Sequence, residues 1–138
     1  MKTRKLILST GNKHKVDEIK DILKDLNIEV LSKNELDIEE FEVEEDGTTL
    51  EENSIKKAKA LAERCNYIVI ADDTGLFVNS LNGEPGIYSS RYAGEEGNDL
   101  NNCLKLLANL DGVEDRSAYF KTVIALITED KTIYTLEG

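Results

Sequence analysis

Cations are scarce relative to acids in this chain: 17 Lys and Arg stand against 28 Asp and Glu, a formal net charge of −11. Affinity for a nucleic-acid backbone comes largely from Lys and Arg displacing condensed counterions, so this balance opposes a polynucleotide partner. Cysteine is nearly absent as well. Cys65 and Cys103 have neither metal-ligand spacing nor the density of a disulfide scaffold, and both read as reduced core thiols within helical patterns. The single histidine, His14, has no second His or Cys spaced to complete a metal site and reads as solvent-exposed. No run of about 18 apolar residues is present to span a bilayer. The amino terminus shows no cleavage-site pattern, so a soluble, cytoplasmic protein is expected.

What is present suffices for one domain over residues 1–138, since 40% of the residues are hydrophobic and no repeat, low-complexity tract or linker interrupts them. Leu6-Ile7-Leu8 reads as a short buried strand that stops at Ser9-Thr10-Gly11-Asn12. From Lys15, apolar residues at Val16, Ile19, Leu23 and Leu26 recur at helical spacing. A strand is expected around Val30-Leu31, then an acidic loop. Thr49 and Glu52 read as a capping box opening a second helix to about Cys65, with Ile55, Ala58, Leu61 and Ala62 on one stripe. Tyr67 to Ala71 is the clearest buried strand and is expected to end at Asp72-Asp73-Thr74-Gly75. After a loop segment with Gly83, Pro85, Gly86 and Gly94, a third helix is expected to turn Leu100, Leu104, Leu107 and Leu110 inward. Ala118–Thr128 and Thr132–Leu136 read as strands joined by a polar turn. Strands alternating with helices indicate an α/β fold.

Three features carry chemistry. Between Asp37 and Glu52 there are nine carboxylates and no Lys or Arg. Such a segment is either a solvated acidic loop or a source of oxygen ligands for Mg²⁺, which commonly bridges carboxylates to substrate phosphates. The strand, then Thr10-Gly11-Asn12, then Lys15 at a helix start suits a phosphate cradle: glycine lets the backbone approach, and amides and the helix dipole favour the anion. Lys13 and Lys15 add positive charge, although ordinary strand-to-helix turns also contain Gly and Asn. Asp72 and Asp73 follow a buried strand, where ligands of open α/β sheets gather. The two adjacent carboxylates together can bind a divalent cation and one can orient or deprotonate a water, or the pair can close an Asx-type turn.

Taken together, four segments resemble successive motifs of the house-cleaning nucleoside triphosphate pyrophosphatases, which act on ITP and XTP. They are Ser-Thr-Gly-Asn-Lys-His-Lys-Val-Asp-Glu-Ile from Ser9, Glu-Glu-Asp-Gly-Thr-Thr-Leu-Glu-Glu-Asn-Ser with Lys57-Ala58, Ala-Asp-Asp-Thr-Gly-Leu-Phe-Val from Ala71, and residues 82–92. Their order and spacing agree over nearly the whole chain. The resemblance implies an elongated mixed β-sheet flanked by helices, a homodimer, and Mg²⁺-dependent cleavage of ITP, dITP or XTP to the monophosphate and pyrophosphate. It implies that Thr10, Gly11, Asn12, Lys13, His14 and Lys15 hold the triphosphate, supported by Asn53 and Lys57, and that Glu44 and Asp73 hold the metal. Asp73 would also accept the proton of the attacking water. Thr74 stands where the family usually has serine and keeps a hydroxyl for phosphate.

The family also carries Phe-Gly-Tyr-Asp and Ser-His-Arg motifs and a lysine that contact the base, and these have no counterpart among the 138 residues. A catalytically weak nucleotide- or phosphate-binding domain is therefore the second reading. A related pyrophosphatase resembling the septum-formation-inhibitor family, with another base preference, is the third.

Overall fold

The computed structural model describes residues 4–10, 13–35, 47–94 and 98–138. Strands β1 (Arg4–Leu8), β2 (Ile28–Ser32) and β3 (Ile68–Val78) run parallel, with β1 in the middle. Helix α1 (Lys13–Ile22) links β1 to β2, and α2 (Leu50–Ala62) precedes β3. The chain leaves β1 in one direction across the sheet and comes back past it to β3. Right-handed crossovers in opposite directions put their helices on opposite faces. The two buried clusters follow this rule. Leu6, Leu8, Val16, Val30 and Ile68 pack under α1, while Ile7, Ala58, Leu61, Val69 and Ala71 pack under α2.

Strand period two sorts β3 accordingly: its even positions face α1 and its odd positions face α2. The stripe expected on the second helix is the one that is buried. Leu61 and Ala58 have no exposed surface, and a Leu buried this completely contributes about 1.5–3 kcal/mol.

The sheet is completed antiparallel by β5 (Ala118–Ile127) and β6 (Ile133–Glu137) in the order β2-β1-β3-β5-β6, with the two-residue β4 (Pro85–Gly86) paired to β3 off this path. The expected mixed sheet flanked by helices is therefore present. Among the described residues no helix is long and apolar enough to cross a membrane. Arg4 at the start of β1 pairs with Glu129 in the β5–β6 turn and holds that carboxyl below its ordinary range through the hydrogen bond it donates. In the same turn Lys131, at φ 70°, donates from Nζ to the carbonyls of Ala62 (2.7 Å) and Cys65 (3.1 Å), satisfying the end of α2 with a cation.

Three expectations change. First, β3 does not stop at Asp72; it runs to Val78, because β5 pairs with it without a break from Val69↔Ile127 to Val78↔Ala118. The acidic residues mark where β1 ends, not where β3 ends. Second, Leu100, Leu104 and Leu107 of α3 (Asp99–Asn109) are exposed, and of the expected stripe only Leu110 is buried. The helix is fastened by its polar side instead. Asn102 Oδ1 accepts from the Ala93 N–H (2.8 Å), Lys105 Nζ donates to the Tyr92 carbonyl (2.8 Å), and Asn109 Nδ2 donates to the Tyr92 hydroxyl (2.6 Å). Third, Cys103 is exposed and so is not a core thiol, whereas Cys65 is half-buried and packs against the cluster under α2; neither is in a disulfide.

The capping box is displaced by one residue. Thr49 Oγ1 accepts from the Glu52 N–H (3.0 Å) as expected, but Glu52 Oε2 accepts from the N–H of Thr48 (2.6 Å), not Thr49.

Candidate active site

In a parallel sheet of this order, β1 and β3 lie side by side while their connections depart in opposite directions, and ligands bind in the crevice at that point. Here the crevice is made by unequal strand lengths. β1 pairs with β3 only as far as Leu8↔Ile70, and the last bond between them runs from the Ser9 N–H to the Ile70 carbonyl (2.9 Å). Two residues on, the Asp72 carbonyl points the same way with, among the described residues, no strand to receive it. Lys57 Nζ, reaching from α2, donates to it at 2.8 Å. The same Nζ lies 3.6 Å from Asp73 Oδ1, and these two side chains are only 22% and 15% exposed. A half-buried lysine thus replaces a missing ladder bond and sits beside a carboxylate.

On the other face, Lys15 in the first turn of α1 donates from Nζ to Asp72 Oδ2 at 2.7 Å. A cleft of about 150 Å³ opens beside this pair, lined by Ser9, Thr10, Lys15, Asp72, Thr122 and Ile124 among others. Thr74, also on the α1 face, is exposed and shares a hydrogen bond between hydroxyls with Thr122 across the ladder (2.8 Å). The adjacent carboxylates therefore point to opposite faces, Asp72 toward Lys15 and Asp73 toward Lys57, and they do not present one ligand set. The two lysines meet only around the free edge of β3.

Of the other residues singled out from the sequence, Thr10 lines the cleft, while Lys13 and His14 are exposed on the first turn of α1. Gly11, Asn12 and Glu44 lie outside the described residues. Asn53, one turn before Lys57 on α2, is fully buried, with Oδ1 accepting from the Gly47 N–H (2.8 Å). It ties down the entry to the helix from behind the site. Arg91, beyond the cis Glu84-Pro85 bond, lies over the ring of Tyr88 at 5.1 Å.

Among the described residues no group of three or more His, Cys, Asp or Glu side chains is placed to hold a metal. Among the described residues, Asp73 offers a carboxylate oxygen on the α2 side of the edge. That fits an ion such as Mg²⁺, which takes one or two carboxylates and completes its shell with substrate phosphates and water.

Sequence reading missed two residues that shape this edge. Ser89 Oγ accepts from the Leu76 N–H (2.9 Å) and donates to the Gly86 carbonyl (2.6 Å), fastening the segment after β4 to the same side of β3. Gly75 permits the close approach: a Cβ there would meet the Gly86 carbonyl oxygen at 2.5 Å. A glycine inside a strand is the available signal for such an approach, whereas nothing in the sequence marks Ser89.

The family model described as the Ham1 family matches residues 6–138. This chain belongs to the Ham1 family. Among its relatives, the dITP/XTP pyrophosphatase of Thermoanaerobacter pseudethanolicus is 51% identical over 136 residues, covering 97% of this chain and 68% of that protein. The dITP/XTP pyrophosphatase of Clostridium perfringens is 50% identical over 143 residues, covering 98% and 70%. Among solved structures, the Staphylococcus aureus Ham1 protein superposes with a TM-score of 0.87 at 44% identity, over 98% of this chain and 69% of that one. A HAM1 protein from Coxiella burnetii superposes at 0.86 and 35%, over 98% and 70%. This Ham1 chain thus spans about two thirds of the length of these relatives.

Proposed function

We propose that this Ham1 chain is a Mg²⁺-dependent pyrophosphatase that cleaves ITP, dITP and XTP to the monophosphate and pyrophosphate. The observation that carries the reading is the arrangement of Lys57, Asp73, Asp72 and Lys15 around the edge that β3 exposes when β1 stops. Two cations and two half-buried carboxylates at a crevice suit a substrate with a highly charged triphosphate and an attacking water. The names of relatives about half identical to this chain supply the substrate class.

In this scheme residues Thr10 to Lys15 and the ammonium of Lys57 take the phosphate oxygens, and Thr74 offers a hydroxyl from the same edge. Asp73 orients a water and accepts its proton as the water oxygen bonds to the α-phosphorus. The bond from that phosphorus to the bridging oxygen breaks, and pyrophosphate leaves. Asp73 and Glu44 would hold Mg²⁺, which when bound supplies positive charge to the phosphate oxygens. Asn53 does not reach the surface and keeps α2, and with it Lys57, in register.

Pyrophosphate release from ITP, XTP and GTP with Mg²⁺ tests the reading: release from the first two and little from GTP is expected, and equal release from GTP would sink the base preference. A second reading is a nucleotide-binding domain too weakly clamped to react, because a misplacement of about 1 Å can cost roughly 10²-fold. Thermal stabilisation by ITP without any pyrophosphate would favour it. The resemblance extends to a homodimer, which sedimentation velocity checks; a monomer at micromolar concentration would remove it.

A further inference from the structure

We infer that Asp72 is an internal anion that holds Lys15 while the site is empty and yields it to phosphate, so that it sets how readily phosphate is exchanged. This rests on the phosphate-binding reading above and goes beyond it in giving Asp72 a part of its own. The first turn of α1 contains Lys13, His14 and Lys15 and no acid. Helix amino termini carry partial positive charge and are stabilised by acids, so this turn opposes its own helix dipole. The missing negative charge comes from the sheet, from Asp72 Oδ2 at 2.7 Å from Lys15 Nζ.

Period two turns Asp72 away from Asp73 and onto the α1 face, where it lines the cleft with Ser9, Thr10 and Thr122. Any anion entering that cleft meets a lysine already engaged and a carboxylate of its own sign. Asp72 therefore competes with phosphate for Lys15, which favours departure of the anionic product as much as it disfavours entry.

The sign of the consequence separates this from other roles. Removing a phosphate ligand, a metal ligand or a merely structural ion pair weakens anion binding or leaves it unchanged. Removing an internal competitor tightens it. Two unit charges about 4 Å apart in a water-like medium interact by roughly 1 kcal/mol, which corresponds to about a fivefold change in affinity.

The test is calorimetric titration of the full chain with inorganic tripolyphosphate, with and without MgCl₂. Asp72→Asn should bind about fivefold more tightly than the unsubstituted chain, and Asp72→Glu, which keeps the charge, should bind like it. In a Lys15→Met background the Asp72→Asn change should have less than a twofold effect. Weaker or unchanged binding in Asp72→Asn overturns the inference, as does equal tightening without Lys15, which would be general charge repulsion. Should Asp72→Asn not fold, the Asp72→Glu and Asp72→Ser pair carries the same comparison. The wild-type assay with ITP separates the two claims: pyrophosphate release with no tightening in Asp72→Asn removes the competitor and leaves the enzymatic reading standing.

Discussion

Asp73→Asn is expected to lower kcat for ITP by about 10²–10⁴-fold, the usual contribution of a well-placed general base. Asparagine has nearly the same shape but cannot accept the proton, and position 73 sits within a ladder that β5 maintains from Val69 to Val78. The fold should therefore survive, and stabilisation by nucleotide should remain measurable while pyrophosphate release is lost. Loss of binding together with catalysis would instead make Asp73 chiefly a ligand for the metal–nucleotide complex. A change of less than about tenfold would remove it from the chemistry altogether.

Much of this site is legible in the sequence because it rests on local rules. The short apolar run ending in Ser9-Thr10, the stripe of α2 and the Thr49 cap are each fixed by residues within one or two turns of one another, and the structure contains all three. Tertiary context decides the rest. A polar stretch after an apolar run reads as a strand's end when the strand is considered alone. Asp72, Asp73 and Thr74 stay extended because a strand some fifty residues later pairs with them, as in Asp72↔Ile124. The opposite orientation of the two acids follows from that one fact, because successive side chains of a strand alternate faces. The leucines of α3 show the reverse failure. Their spacing marks an apolar face, but spacing does not say which side of the helix will be fastened, and the bonds to Tyr92 and Ala93 hold the polar side. Among the described residues, Leu100, Leu104 and Leu107 are left exposed.

Lys57→Met is expected to affect both activity and stability, which distinguishes it from Asp73→Asn. Methionine keeps most of the length of the stem but removes the donor to the Asp72 carbonyl and the cation 3.6 Å from Asp73. Because both side chains are largely buried, losing a charged hydrogen-bond partner here should cost about 1–3 kcal/mol. For a domain of this size that corresponds to a fall in Tm of several degrees, on the order of 3–10 °C. Activity should drop by at least about 10²-fold, since a preorganised positive group at the phosphates is lost in the same step. The double variant Lys57→Met/Asp73→Asn supplies the decisive comparison. If Lys57 stabilises the edge mainly by compensating the Asp73 charge, neutralising Asp73 should recover part of the lost Tm without recovering activity. If its bond to the Asp72 carbonyl is the main effect, the double variant should melt no higher than Lys57→Met alone, and the lysine would then act principally as the substitute for the ladder bond that β1 leaves unmade.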